Sequence, residues 1–151
     1  RELGGTAHAL AQAEHALDNR SMVLMGDDLY NAQDLKRLLA YPWAVLAKEV
    51  DKPQNFGVIR RNREGCLVNI VEKPRHPTSR LANCGVYVMG REYFAHEPAR
   101  LAGGEAGLPQ TLVKVAQSGI AIRVVKASFW HPVGYPADLK RAQKIFAKPK
   151  K

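Results

Sequence analysis

Between residues 67 and 88 the chain reads L-V-N-I-V-E-K-P-R-H-P-T-S-R-L-A-N-C-G-V-Y-V, and this stretch restricts the fold more than any other. Leu67 to Val71 has the length and β-branched content of a buried strand, and Pro74, which has no N–H to donate, ends the ladder. Glu72 and Lys73 therefore stand at a strand end. Strand ends facing a crevice are where α/β proteins place ligand contacts, and an acceptor beside a cation suits a ligand carrying both hydroxyls and phosphate. A plain polar cap before a proline-bearing loop accounts for the same dipeptide. A second apolar run follows Pro77-Thr78-Ser79 and opens with Asn83-Cys84-Gly85, a polar side chain beside a glycine whose backbone can approach a ligand closely.

Upstream, Met22 to Met25 is a short apolar run that stops at Gly26-Asp27-Asp28, the pattern of a buried parallel strand delivering carboxylates at its C-terminal edge. One or two carboxylates beside a substrate phosphate suit magnesium; a surface turn with Asp28 partly exposed is the competing reading. Gly4-Gly5-Thr6 leads into Ala7 to Leu17, where Ala9, Leu10, Ala13, Ala16 and Leu17 recur at helical spacing with Thr6 as N-cap. A glycine-fed helix N-terminus can receive an anion or a base edge, or simply begin a helix. Asn31 caps a helix over 32–40 with Leu35, Leu38 and Leu39 facing inward, and Trp43 to Val50 is the next strand.

From Asn55 the pattern is strand, turn, strand: a hairpin with Arg60, Arg61 and Arg63 as a solvated tip. Gly103-Gly104 and Gly107 mark a linker before a helix near Thr111 to Ser118, without the Gly-Lys-Ser/Thr that a P-loop needs. Ile120 to Lys126 is a strand, Phe129-Trp130 begins a short one, and Pro136 opens a last helix whose Leu139, Ala142, Ile145 and Phe146 form a core stripe.

With 151 residues and 46% hydrophobic content, the chain reads as a single domain over 1–151. It is long enough to bury about 68–70% of its unfolded surface. No apolar segment has the length of a membrane span, and the opening residues do not form a signal peptide. Cys66 and Cys84 lack C-x-x-C spacing, which indicates reduced thiols in the cytoplasm. The formal charge is +9, but lysines at 144, 148, 150 and 151 supply part of it in a basic tail over about 147–151. No aromatic residue is interleaved with that tail, so it reads as solvated rather than as a nucleic-acid patch.

The Glu72-Lys73-Pro74 strand end followed by Asn83-Cys84-Gly85-Val86-Tyr87 resembles the sugar-1-phosphate nucleotidyltransferases, or nucleotide-sugar pyrophosphorylases, whose Glu-Lys-Pro strand end precedes an Asn-x-Gly-x-Tyr strand. The resemblance implies a sugar-phosphate site formed by Glu72, Lys73, Asn83 and Gly85. It extends over most of the chain. Phe56-Gly57-Val58 is similar to a segment in which a glycine backbone meets the sugar, which implies a ligand role for Gly57. Leu3-Gly4-Gly5-Thr6-Ala7-His8-Ala9-Leu10 resembles the segment lining the base pocket, which implies nucleotide contacts at Gly5 and Thr6. Val23 to Asp28 resembles the strand ending in Gly-Asp, which implies that Asp27 is the catalytic aspartate and binds Mg2+. The family's Trp-x-Asp-x-Gly segment meets Trp130-His131-Pro132-Val133-Gly134 here, so Pro132 stands where the second metal aspartate is expected.

The implied fold is α/β, a Rossmann-like nucleotidyltransferase fold with a mixed sheet. The implied reaction is attack of a sugar-1-phosphate on the α-phosphate of a nucleoside triphosphate, giving an NDP-sugar and pyrophosphate. The family's first strand and its glycine-rich loop with arginine and lysine have no counterpart in the sequence. The fold is therefore expected to be incomplete at the N-terminus, where Arg1 suggests a fragment. The chain is expected to be inactive or incomplete as an enzyme, because nucleotidyl transfer rests on positioning and charge neutralisation. Other readings are a non-catalytic sugar-phosphate-binding module, a homo-oligomeric assembly module using an exposed sheet edge, and a nucleic-acid binder whose affinity falls with salt.

Overall fold

The computed structural model describes residues 4–147. Arg1, Leu3 and residues 148–151 of the basic tail lie outside them.

A mixed sheet is built from β1 (Arg20–Leu24), β3 (Ala44–Glu49), β4 (Gly57–Arg61), β5 (Leu67–Glu72), β6 (Leu81–Gly90) and β9 (Arg123–Lys126). The order is β5-β4-β6-β3-β9, with β1 also on β6. At ten residues β6 is long enough to pair with three strands: β3 along one edge, and on the other β4 at Ala82 and β1 along Val86–Gly90. The β3–β9 pair is parallel, and every other pairing in this sheet is antiparallel.

Alternation across the strands builds a core on each face. Val45, Ala47, Tyr87 and Met89 point to one side, where α1 (Thr6–Gln12) contributes Ala7 and Leu10 and α3 (Leu108–Gln117) contributes Leu108, Leu112 and Val115. Ala44, Leu46, Val86 and Val88 point to the other, against Leu38 of α2 (Ala32–Leu38) and Val125. With both faces covered, Ala44 to Ala47 are all buried, which is why they read as a continuous apolar run. Two short ribbons complete the chain: β2 (Leu29–Tyr30) pairs with β10 (Trp130–His131), and β7 (Ala99–Arg100) with β8 (Ala106–Gly107).

The hairpin forms as the sequence indicates, closed by Asn62: its N–H donates to the Cys66 carbonyl at 2.9 Å and its side chain accepts the Cys66 N–H at 2.8 Å. Asn31 caps α2 through the Gln33 N–H at 2.8 Å. Cys66 and Cys84 are free thiols.

Several expectations are corrected. Thr6 is not an N-cap: Gly5, at φ 86°, holds that place, and the Thr6 hydroxyl instead accepts the Leu108 N–H at 2.9 Å. The helix stops at Gln12, and a 3-10 turn over Glu14–Ala16 replaces its last part. The strand before Asp27 is half-exposed and antiparallel to its neighbour, not a buried parallel strand. Leu39 is exposed, and so is Val71, because β5 lies at the sheet edge. The stripe on α4 (Pro136–Phe146) is not core: Ala142 is buried, but Leu139 and Ile145 are 53% and 41% exposed. Helical spacing of apolar residues shows that a helix has an apolar face, not that a partner covers it.

Candidate functional site

β5 pairs with β4 so that Glu72 sits opposite Gly57, at the end of the ladder. A side chain at Gly57 would place its Cβ 3.0 Å from Oε2 of Glu72, so the missing side chain leaves room for that carboxylate. Lys73 adopts φ 41°, a left-handed conformation rare for a residue with a side chain, and its N–H donates to the Phe56 carbonyl at 3.0 Å. Lys73 lines the cavity at this strand end, and strained backbone of this kind is often found at binding sites.

On β6 the side-chain amide of Asn83 works in two directions. Its nitrogen donates to the Tyr87 hydroxyl at 2.7 Å and its oxygen accepts the Gly85 N–H at 3.1 Å, leaving one N–H and one lone pair for other partners. Burial pushes the Tyr87 hydroxyl above the usual tyrosine range, further than the Asn83 bond lowers it, so it stays a neutral acceptor. Gly85 has φ 70°, and a Cβ there would meet Cγ of Met25 at 2.6 Å. Its openness is filled by Met25 packing.

These residues line one cavity of about 560 Å3 that brings together Thr6, Asp27, Gly57, Glu72, Lys73, Asn83 and Gly85. Gly5 lines a neighbouring cavity of about 550 Å3 that shares Thr6 and Glu72 with the first. Gly5 also has a packing role, since its missing Cβ would lie 2.5 Å from the Ala106 carbonyl oxygen. All the candidate site residues named from the sequence thus fall on two adjoining cavities. Sequence reasoning missed the aromatic wall: Phe56 and Trp130 line the first cavity and meet edge to face with centroids 5.2 Å apart. Their signal was an aromatic beside Gly57 and an indole at a strand start, neither of which was given a ligand role of its own.

The paired carboxylates divide their work. Asp28 Oδ2 accepts the Trp130 indole N–H at 2.8 Å, and Oδ1 accepts the Val133 N–H at 3.1 Å. Tyr30 gives its proton to the Cys84 carbonyl at 2.9 Å in preference to Asp28 at 3.4 Å, and burial together with the Asp28 charge raises its pKa. Asp27 has no such partners among the described residues. It shares the cavity with Pro132, whose side chain offers no oxygen. Among the described residues no three His, Cys, Asp or Glu side chains converge on a metal site. Asp27 fits magnesium only as a single carboxylate to an ion otherwise held by phosphates and water.

A mixed, two-face-covered α/β sheet with a polar cavity at its strand ends is the layout of a Rossmann-like nucleotide-handling fold. A sequence model described as nucleotidyl transferase matches residues 1–148. The bifunctional protein GlmU of Methanocaldococcus jannaschii is 31% identical over 145 residues, covering 95% of this chain and 35% of that protein. The UTP–glucose-1-phosphate uridylyltransferase AglF of Haloferax volcanii is 29% identical over 95% of this chain and 63% of its own length. A solved structure from Bacillus anthracis, assigned as a glucose-1-phosphate thymidylyltransferase in complex with a sucrose, superposes with a TM-score of 0.80 at 25% identity, over 100% of this chain and 64% of that one. The chain belongs to the nucleotidyl transferase family. It spans about a third of the length of the GlmU relatives, 35% in the first.

Proposed function

We propose that the chain, acting as one domain over 1–151, binds a sugar-1-phosphate in the cavity at the ends of β4, β5 and β6. Glu72 accepts the sugar hydroxyls, Lys73 meets the phosphate, and Asn83 offers its spare N–H and lone pair. Gly57 leaves room for the Glu72 carboxylate, and Gly85 lines the wall by its backbone, with Met25 in the space a side chain would take. Gly5 and Thr6 border the second cavity, which takes the nucleotide of an NTP or NDP-sugar. The observation that carries this reading is the register that sets Glu72 against Gly57 beside the strained Lys73.

In the full reaction a phosphate oxygen of the sugar-1-phosphate bonds to the α-phosphorus and the bond to pyrophosphate breaks. Lys73 holds and orients the attacking phosphate, and the Trp130–Phe56 wall shields it from water. The family generally uses a divalent ion. Asp27 is the residue that would hold magnesium, which supplies neutralisation of phosphate charge when bound.

Lys73 is the one cation among the described residues lining the first cavity. A triphosphate needs several positive groups for transfer, so this cavity favours binding over turnover, and a non-catalytic sugar-phosphate-binding role is the second reading. The free thiols and the lack of any helix long and apolar enough to cross a membrane among the described residues support a cytoplasmic setting. Titration of the labelled chain with glucose 1-phosphate tests the main reading: the amides of Gly57, Glu72, Lys73 and Asn83 shift together. Unmoved amides there, with changes elsewhere, overturn it.

A further inference from the structure

Asp34 sits in α2, behind the cavity wall rather than in it, and is 1% exposed. A buried carboxylate must be heavily bonded, and its donors come mostly from far along the chain. It accepts the Ser128 N–H at 2.7 Å, the Ser128 hydroxyl at 2.9 Å and the Phe129 N–H at 3.2 Å, besides Arg37 on its own helix at 2.5 Å. Burial works to raise the Asp34 carboxyl, but the Arg37 guanidinium and the Phe129 and Ser128 donors outweigh it and hold it low. Charge-assisted bonds to backbone N–H groups are short and directional, so they set where the backbone lies.

The next residue is Trp130. Its indole N–H is fixed to Asp28, its ring meets Phe56, and three residues on the Val133 N–H returns to the same Asp28 carboxylate. The segment carrying the aromatic wall is thus pinned behind by Asp34 and ahead by Asp28. Asn31 closes the α2 N-cap through the Gln33 N–H, and its amide nitrogen also donates to the Ser128 hydroxyl at 3.1 Å, so two side chains from the start of α2 converge on Ser128.

We propose that Asp34 is a positioning residue for the substrate cavity: by holding the Ser128–Phe129 backbone it sets Trp130 at the height where the indole forms the wall beside Phe56. The consequence for ligand affinity rests on the proposed function; the consequence for Trp130 does not.

The chain has two tryptophans, so a Trp43→Phe background leaves Trp130 as the sole indole. In that background the full chain is compared with its Asp34→Asn, Ser128→Ala and Val115→Ala variants by melting temperature, tryptophan emission and affinity for glucose 1-phosphate. Val115 belongs to the core on the opposite face of the sheet, so its truncation lowers stability without touching the clamp. Asp34→Asn is expected to shift Trp130 emission to the red and weaken binding by about tenfold, the size of one lost hydrogen bond in the cavity. Ser128→Ala moves both in the same direction by less. Val115→Ala lowers the melting temperature and leaves emission and affinity alone.

An Asp34→Asn chain that melts early with unchanged emission and affinity overturns the proposal, as does a Val115→Ala chain that changes both equally. If Asp34→Asn does not fold, Ser128→Ala against Val115→Ala decides on the same criteria. A parent chain that binds no glucose 1-phosphate sinks the proposed function, while the emission comparison still decides the role of Asp34.

Discussion

Replacing Gly57 by alanine is expected to separate binding from folding. The added Cβ would lie 3.0 Å from Oε2 of Glu72, 3.4 Å from Cγ2 of Ile70 and 3.6 Å from Cβ of Asn83. The last two distances reach ordinary contact; the first does not. The crowded atom is the tip of a flexible, exposed side chain, so the carboxylate turns away at the cost of a rotamer change rather than a backbone shift. Gly57 is absent from the residues with left-handed φ, and a strand glycine loses more entropy on folding than alanine, a difference of about 0.5–1 kcal/mol in favour of the variant.

The melting temperature should therefore hold or rise by up to about 2–4 °C for a domain of this size. Affinity should move the other way. A displaced Glu72 forfeits a charge-assisted bond to a sugar hydroxyl, about 1.5–3 kcal/mol, or roughly 10- to 150-fold in Kd. Calorimetric melting and titration with glucose 1-phosphate read the two quantities on one sample. Unchanged affinity would refute the role given to Glu72, and a large drop in melting temperature would refute the packing given to Gly57.

Gly5→Ala should do the opposite of Gly57→Ala, because φ is 86° and the new Cβ meets the Ala106 backbone oxygen at 2.5 Å. A loss of at least about 1–2 kcal/mol is expected from the conformation alone, and an unchanged melting curve would contradict it. Asn83→Ala leaves the hydroxyl of Tyr87, a residue 1% exposed, without its donor, and urea denaturation should show a loss of about 1–3 kcal/mol. The Asp34 carboxyl is held low in the folded chain, so its contribution to stability is full above the ordinary carboxylate pKa of about 3.9 and is lost as pH falls below that through the folded value. Urea midpoints measured across that acid range should fall steeply for the parent and more gently for Asp34→Asn. Burial raises Tyr30, Tyr87 and Tyr93, so the unfolded chain releases their protons first and stability should decline as pH rises past about 10. A flat alkaline profile would count against the burial of these hydroxyls.

Much of the site was legible because it depends on short-range features. The Glu72-Lys73-Pro74 stop, the hairpin closed by Asn62 and the Asn31 cap each follow from a proline, a turn residue or a side-chain acceptor acting within a few positions. What failed was any statement about which neighbour covers a face. The α4 stripe is as regular as that of a buried helix, yet Leu139 and Ile145 face outward. Thr6 has the chemistry of a cap, yet its hydroxyl answers Leu108, 102 residues away.

The amino-acid order alone determined the strand and helix periods, the place where β5 must stop and the polar residues gathered at that stop. The resemblance pointed to Asp27, but only tertiary structure shows that Asp28, adjacent and chemically alike, is the one tied down. Donors arriving from Trp130 and Val133, separated from Asp28 by more than a hundred positions, lock one carboxylate, while its neighbour has no such partner among the described residues. A side chain's identity states what bonds it can make, and only the folded path of the chain states which partners come within reach.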